Sequence, residues 1–489
     1  MSSALDRQQL ELPSSASTDT ARDNDRFQDV VGQFPQLKTY NQLVLIFRCS
    51  PDIGHESVVA AIRGALDHII NLVPWIGERV VHEAQDGGRS GFCKTVPFTS
   101  PLHAAKILTV KDASDVCPSY DELEQCGAPV PMLDGKILCP MPAWPLSYTE
   151  IDVGEAPVMV FQLTFIKNGL LLNFSNQHNM VDGVGAYAIF KLLSIVMQGE
   201  AIPRSLIYQA NMDRRTVIPL LDPGQPLRDH SHLLKPKTQR TTAPAQAPAP
   251  APPPPPPSRW VLFRVLRKSI PSIKRAASHV DQFVDSSIKY VSTNDALCAF
   301  YWKRLASTRI RNGSVADPDT QVSKFLRALD ARSAVGVPAG YLGQMVYHAA
   351  TRCSYRELAA PELTLSALAS RLRADLNASN TEWAVRSYAT FVAGVPDKSA
   401  LVYGGGFDPA TDVGNSSMSQ LDFTALEFGL LGRPTFLRRP NLTPVPGVMY
   451  VLPPEGEAGD LPVLLCLPEK DIDGLRADEE WGPSTEYVG

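Results

Sequence analysis

One stretch decides the fold of this chain: Asn173-Phe-Ser-Asn-Gln-His178-Asn-Met-Val-Asp182-Gly183-Val-Gly-Ala186. An apolar run over residues 158–166 precedes it, and the turn residues 167–169 join the two, so a pair of antiparallel strands is predicted. After Gly183 the apolar residues recur at helical spacing, which predicts a helix up to Gly199. His178 therefore lies at a strand end, where a rigid scaffold can hold a general base beside a cleft.

The spacing His-x-x-x-Asp-Gly is specific, because about 0.03 such matches are expected by chance in a chain of this composition. A histidine near a strand end is often only a hydrogen-bonded structural residue, but the position of this one favours catalysis. Asp182 could orient the imidazole, or it could form an ion pair at the helix start; the adjacent Gly183 and the helix favour the structural role. No G-x-S-x-G motif and no cysteine in a catalytic context is found, which favours direct transfer over a covalent intermediate.

Composition limits the class of protein. The 489 residues predict two domains, and 44% hydrophobic with 20% charged residues is typical of globular proteins. A net charge of −5 argues against nucleic acid as a partner. The eight cysteines contain no C-x-x-C pair, which indicates reduced thiols of a cytoplasmic protein. No secretory or membrane segment is recognised, and no metal site is expected, since His178 lacks partner ligands at useful spacing.

Other segments predict mixed helices and strands. Residues 1–25 are expected to be disordered, and residues 101–150 to form loops with short strands. Ser292-Thr-Asn-Asp295 has the arrangement of a capping box and predicts a helix start. Further strands are predicted at 40–48, 261–265, 322–331, 448–452 and 461–467, and further helices from Glu56 to Pro74 and at 363–376. The class is therefore α/β or α+β.

A Pro-rich tract over residues 241–258 marks the clearest boundary. It ends in six consecutive prolines and cannot fold onto a core, so it is expected to adopt the extended polyproline II form. An interdomain linker is the favoured interpretation, and a ligand for a proline-binding domain is the alternative.

Several motifs in order resemble the BAHD-type acyl-CoA-dependent acyltransferases, in particular their fungal trichothecene 3-O-acetyltransferase-like branch. His178-Asn-Met-Val-Asp182-Gly183 matches the family's H-x-x-x-D-G. Further matches are Val73-Pro-Trp75-Ile-Gly77-Glu-Arg79-Val80, Leu329-Asp330-Ala-Arg332 with Tyr341-Leu-Gly343-Gln344, and Glu427-Phe428-Gly429-Leu-Leu-Gly432-Arg433-Pro434. Cys466-Leu-Pro468 and the tail Asp478-Glu-Glu-Trp481 are also in keeping with the family. The resemblance covers nearly the whole chain.

The resemblance implies two similar chloramphenicol acetyltransferase-like domains, each a mixed sheet flanked by helices, with a channel between them. The expected boundaries are an N-terminal domain at 26–232, a linker at 233–259 and a C-terminal domain at 260–489. A monomer without bound cofactor would use acetyl-CoA or another acyl-CoA as co-substrate and a fungal secondary-metabolite alcohol as acceptor.

The resemblance also implies roles for individual residues. His178 would deprotonate the acceptor hydroxyl, and Asp182 would hold the loop by pairing with Arg332. Gly183, Glu427 and Gly429 would be structural.

Met418 occupies the place where plant members often carry a tryptophan near the oxyanion. Methionine cannot donate a hydrogen bond there, so Ser416, Ser417 or a backbone N–H is the candidate donor.

Two alternatives stay open. A condensation-type enzyme of the same superfamily would use carrier-bound acyl groups, but such domains typically carry a second histidine where this chain has Gln177. A non-catalytic scaffold could have kept the fold and could use the Pro-rich tract to recruit a partner. The joint presence of His178, Asp182 and Gly183 argues against it.

Overall fold

The computed structural model describes residues 29–50, 52–82, 92–98, 105–143, 156–236 and 256–489. Residues 1–25, for which disorder is predicted, lie outside the described residues, and so does most of the Pro-rich tract. Among the described residues, no helix combines the length and the apolar character that a membrane crossing requires.

The described strands are, in chain order, β1 Tyr40–Arg48, β2 Arg79–His82, β3 Cys93–Val96, β4 Leu108–Asp112, β5 Met159–Ile166, β6 Gly169–Gln177, β7 Ser258–Val265, β8 Val322–Asp330, β9 Val346–Ser354, β10 Val413–Ser417, β11 Phe436–Arg438, β12 Val448–Val451, β13 Leu461–Pro468 and β14 Thr485–Tyr487. The described α-helices are His55–Leu72, Tyr120–Cys126, Gly135–Leu138, Gly183–Met197, Arg204–Ala210, Ile270–Ala276, Thr293–Arg311, Tyr355–Ala359, Leu365–Ser379, Glu382–Gly394, Glu469–Arg476 and Trp481–Ser484.

The N-terminal sheet has the strand order β11-β1-β6-β5-β4. Strands β5 and β6 form the predicted hairpin, and Asn168 adopts the left-handed conformation that such a tight turn needs. Strand β1 pairs with β6 along its whole length, from Tyr40 opposite Gln177 to Arg48 opposite Gly169. Helices His55–Leu72 and Gly183–Met197 bury their apolar residues in the same core as this sheet. This packing fixes the end of β6, where His178 follows.

The C-terminal sheet has the strand order β14-β7-β13-β12-β10-β8-β9 and is mixed, because β10 runs parallel to both β8 and β12. Its core includes residues of the helices Thr293–Arg311 and Leu365–Ser379. The first of these helices starts at the predicted capping box, with Ser292 as N-cap and Asp295 as its partner. Two mixed sheets with flanking helices confirm the predicted fold class.

Strand β11 joins the two halves of the chain. It comes from the C-terminal half, yet it pairs with β1 at the edge of the N-terminal sheet, with Val44 opposite Arg438. Phe423, Phe428 and Leu437 of the same region are buried in the N-terminal core. The sequence did not predict this exchange of a segment.

The prediction of loops and short strands over residues 101–150 is wrong for helix Tyr120–Cys126. Ser119 and Glu122 form a capping box at its start, and Gly127 ends it in the left-handed conformation. These local signals outweigh the high content of Pro, Asp and Cys nearby.

Candidate active site

His178 follows the last residue of β6, and its backbone N–H donates to the carbonyl of Thr39 at 2.9 Å. The residue is partly exposed, although its neighbours Gln177 and Asn179 are buried. Burial lowers the pKa of the imidazole below its usual 6.5, and Arg439 adds to this effect. The carbonyl of His178 itself and the Asp182 carboxylate act in the opposite direction. The imidazole is therefore neutral at pH 7, which is the state that a general base requires.

Asp182 is fully buried and caps the helix Gly183–Met197. Its Oδ1 accepts hydrogen bonds from the backbone N–H of Gly185 at 2.8 Å and from Arg332 at 2.9 Å. Its Oδ2 accepts from Arg332 at 2.8 Å and from the backbone N–H of Met345 at 2.9 Å. Four donors thus occupy the carboxylate, and none of its described hydrogen bonds reaches His178. The predicted contact between Asp182 and Arg332 is present.

Arg332 extends this contact into the C-terminal half. Besides Asp182, its guanidinium donates to the carbonyls of Tyr341 and Gly343 and to the carboxylate of Asp330. Only 3% of the Arg332 side chain is exposed. Charge-assisted hydrogen bonds between buried groups are strong, so this arginine holds the loop after His178 against the loop that precedes β9.

A second buried ion pair supports the same loop from the other side. Arg214 donates to Asp29 at 2.6 Å and to the carbonyl of Met180 at 2.9 Å. The hydroxyl of Tyr341 donates to the other oxygen of Asp29 at 2.6 Å. Burial raises the pKa of Asp29, while Arg214 opposes that rise. Sequence reasoning missed Asp29 and Arg214, because no local pattern links residues so far apart in the chain.

Close backbone contacts also position the loop. A Cβ on Gly185 would lie 2.2 Å from the carbonyl oxygen of Leu342, and one on Gly32 would lie 2.3 Å from that of Asn179. Gly183, the last residue of the motif, has more space, since its Cβ would meet only Met418 at 3.8 Å. In this structure the close approach therefore depends on Gly185 more than on Gly183.

The two serine candidates for oxyanion binding lie on β10. Met418 follows the last residue of β10 and approaches the helix start, since a Cβ on Gly183 would lie 3.8 Å from its sulfur. The hydroxyl of Ser417 lies 3.0 Å from that of Ser419.

Glu427 and Gly429 lie at the opposite end of the motif helix. The carbonyl of Glu427 accepts a hydrogen bond from Ser194 at 2.7 Å, and its carboxylate pairs with Arg433 at 3.2 Å. Gly429 has a φ of 55°, and a Cβ there would lie 2.4 Å from the carbonyl oxygen of Met197. A helix of 15 residues is about 22 Å long, so these residues support the helix far from His178.

The cysteines offer no activated nucleophile among the buried thiols. Burial raises the pKa of Cys466 to about 12 and that of Cys298 to about 11. All eight cysteines are free thiols. Within the described part of the chain, no group of three or more His, Cys, Asp or Glu residues could hold a metal ion.

Two family models match this chain. The trichothecene 3-O-acetyltransferase-like N-terminal domain matches residues 39–196, and the transferase family matches residues 144–481. An O-acyltransferase of Monascus ruber is 43% identical over 95% of this chain and 99% of its own length. An O-acetyltransferase of Aspergillus niger is 36% identical over 95% of this chain and 97% of its own length.

Comparison with solved structures agrees with these sequence matches. The TRI101 enzyme of Fusarium sporotrichioides, in complex with coenzyme A and T-2, superposes with a TM-score of 0.82. It is 29% identical in sequence, and the match covers 94% of this chain and 99% of that one. Vinorine synthase shares the fold, with a TM-score of 0.57 at 14% identity over 94% of this chain and 93% of its own.

Proposed function

The chain belongs to the transferase family and is an acyl-CoA-dependent O-acyltransferase, and we propose that His178 is its general base. The observation that carries this proposal is the neutral, partly exposed imidazole at a strand end, followed by a loop that two buried ion pairs hold. The acceptor is the hydroxyl of a fungal secondary metabolite, and the transferred group is most simply acetyl, as the names of several relatives indicate.

In the proposed reaction, a neutral nitrogen of His178 takes the proton of the acceptor hydroxyl while the oxygen attacks the thioester carbonyl. A tetrahedral intermediate forms, and its collapse breaks the carbon–sulfur bond. The proton on His178 then passes to the departing thiolate, so the products are the ester and free coenzyme A. Direct transfer needs no nucleophilic side chain, which is consistent with the raised pKa of the buried thiols.

Asp182 and Arg332 are positioning residues in this scheme. The four donors around the Asp182 carboxylate support a structural role rather than a bond to the imidazole. Ser416 is the proposed side-chain donor to the oxyanion, because the alternation of side chains along β10 puts it on the side of Met418, which follows the strand and lies near Gly183. One oxyanion donor typically contributes about 3 kcal/mol to catalysis.

We further propose that the protein acts as a cytoplasmic monomer with domains at 26–232 and 260–489, joined by a Pro-rich linker, and that the second domain contributes β11 to the sheet of the first. Acyl-CoA and a small-molecule acceptor are the expected partners, and the net charge of −5 supports a protein that does not bind nucleic acid.

The test is thiol release from acetyl-CoA by the purified protein, with deoxynivalenol, T-2 and a panel of hydroxylated fungal metabolites as acceptors. His178→Ala should abolish the acceptor-dependent release. His68→Ala is the matched control, because His68 lies on the exposed side of helix His55–Leu72 and should behave like the wild type. Acceptor-dependent release that survives in His178→Ala would refute the proposed base.

A further inference from the structure

Arg439 carries a positive charge between the two halves of the chain. It directly follows strand β11, which joins the edge of the N-terminal sheet, and it is partly buried. The adjacent Arg438 pairs with Glu455, whereas no ion pair of Arg439 is found among the described residues. A partly buried charge without a counter-charge is unfavourable, so we expect this guanidinium to meet an anion in the working protein.

Neutral groups hold this guanidinium in place. It donates to Oδ1 of Asn41 at 2.7 Å, and its central carbon lies 4.3 Å from the centre of the Tyr450 ring. Tyr450 in turn stacks on Trp260, with the ring centroids 5.7 Å apart. The aromatic face attracts the cation and orients it without neutralising its charge. Arginine has five N–H donors, and the hydrogen bond to Asn41 uses one, so further donors can bind an acceptor.

The same contacts place Arg439 beside the candidate catalytic histidine. Asn41 pairs with Asn176 across β1 and β6, and His178 comes two residues later, about 7 Å along the chain. The backbone N–H of His178 donates to the carbonyl of Thr39, which is two residues before Asn41. Burial lowers the pKa of His178, and the charge of Arg439 adds to that effect. The strand register and the electrostatics therefore agree on a guanidinium near the imidazole.

Tyr450 connects Arg439 with the candidate oxyanion donor. It is the neighbour of Ser416 across the parallel strands β12 and β10. Side chains of paired residues project to the same face of a sheet. The Tyr450 ring packs against the core of the N-terminal half, so this face is turned toward that half. The guanidinium therefore lies between the strand end that carries His178 and the strand that carries Ser416.

The negative charge that forms beside His178 in the proposed reaction is that of the thioester. When the acceptor oxygen attacks, the carbonyl oxygen becomes an oxyanion, and on collapse the charge passes to the departing sulfur. The phosphates of coenzyme A lie at the other end of the pantetheine arm from that sulfur, so they are not the anion at this place. A fixed positive group that faces a developing oxyanion is a large contribution to catalysis.

We propose that Arg439 is a further catalytic residue, whose guanidinium stabilises the oxyanion of the tetrahedral intermediate, and that Asn41 and Tyr450 are its positioning residues. The inference rests on the proposed function, in which His178 takes the proton of the acceptor. The acceptor oxygen forms the new carbon–oxygen bond, and the electron pair of the carbonyl double bond moves to the oxygen that faces Arg439. Return of that pair breaks the carbon–sulfur bond, and the thiolate takes the proton from His178. Arg439 keeps its own proton throughout.

The test measures thiol release from acetyl-CoA as a function of pH, with one acceptor that the wild type uses, for Arg439→Met and Arg439→Lys. Arg439→Met removes the charge and should lower kcat about 10²-fold, as for the loss of one oxyanion donor, with the KM for acetyl-CoA at the wild-type value. It should also move the midpoint of the pH dependence of kcat/KM upward, because the cation that disfavours the imidazolium is gone. Arg439→Lys keeps the charge but not the fork of donors, so it should keep the wild-type midpoint at an intermediate kcat.

Arg476→Met is the matched control. Arg476 also lies over a tyrosine ring, 4.5 Å from the centroid of Tyr487, but it is exposed beside the edge strand β14. This variant should keep the wild-type kcat and midpoint. Asn41→Ala keeps the charge of Arg439 and loosens its orientation, so it should lower kcat less than Arg439→Met and leave the midpoint unchanged. Together with Arg439→Lys it tests the assignment even if Arg439→Met does not fold.

The assignment is overturned if Arg439→Met folds and keeps kcat within about threefold of the wild type, or if only the KM for acetyl-CoA rises. A loss of kcat without a shift of the midpoint would leave a structural role alone and would also overturn it. So would a loss confined to malonyl-CoA as donor, because Arg439 would then bind a substrate carboxylate. No thiol release by the wild type with any acceptor or acyl-CoA would instead contradict the proposed function itself.

Discussion

Replacement of Asp182 by Asn separates a structural role of this residue from a catalytic one. The substitution keeps the size of the side chain but removes the fully buried counter-charge of Arg332, which is then paired only with the partly exposed carboxylate of Asp330. Removing one partner of a buried ion pair costs about 3–5 kcal/mol. Asn remains a good N-cap, and Arg332 keeps the carbonyls of Tyr341 and Gly343. We therefore expect a loss near the lower limit, about 3 kcal/mol in the free energy of unfolding.

Urea unfolding measures this loss, and thiol release measures kcat for the fraction that stays folded. A positioning role predicts that kcat of the folded fraction falls less than about tenfold, because the imidazole keeps its strand-end support. Asp330→Asn is the control, since Asp330 contacts the same Arg332 at 2.8 Å with a side chain that is 39% exposed. It should cost less than about 1 kcal/mol.

The result that refutes this reasoning is an Asp182→Asn variant that unfolds like the wild type yet loses about 10⁴-fold in kcat. Such a loss is expected for a triad aspartate that orients the catalytic histidine. A second check is the double variant Asp182→Asn/Arg332→Met. It should be more stable than Asp182→Asn alone, because it leaves no unpaired buried charge.

Three further outcomes follow from the same geometry. Gly185→Ala should lower the free energy of unfolding in urea by about 1–3 kcal/mol, because the new Cβ would collide with the Leu342 carbonyl. Gly183→Ala, which has more space, should change it by no more than about 0.5 kcal/mol. Equal losses in the two variants would contradict the contact distances. Asp29→Asn removes the buried counter-charge of Arg214 and should lower the free energy of unfolding by about 3 kcal/mol. The value of kcat should fall, and the KM for acetyl-CoA should stay unchanged. A variant with wild-type stability would show that this ion pair does not hold the loop. The pKa of His178 is lowered, so kcat/KM should rise with pH through a midpoint below 6.5. A midpoint above 7 would contradict a base that is neutral at pH 7.

The sequence predicted those parts of the molecule that have a local pattern. Strand Tyr40–Arg48 and helix Gly183–Met197 are continuous or periodic apolar runs, and their bounds agree closely with the prediction. The motif around His178 could be placed at a strand end for the same reason. The pairing of Asp182 with Arg332 was found only through the resemblance to a family, since no local pattern links the two residues.

The parts that were missed depend on contacts between distant residues. Asp29 lies at the start of the described chain, and neither it nor its partner Arg214 belongs to a motif. Arg439 comes together with Asn41 and Tyr450 between the two halves of the chain, which only the tertiary structure reveals. The short strand β11 has three residues and no pattern of its own, so its place beside β1 could not be predicted.

That place of β11 has a consequence for synthesis of the protein. Strand β1 leaves the ribosome roughly 400 residues before its neighbour β11, and translation at about 5–20 residues per second makes this delay roughly 20–80 s. During that time β1 is an apolar edge strand with unpaired backbone groups, which is a template for association with other chains. We therefore expect the N-terminal half expressed alone to associate through this edge more readily than the whole chain, in which β11 covers Val44 to Ile46.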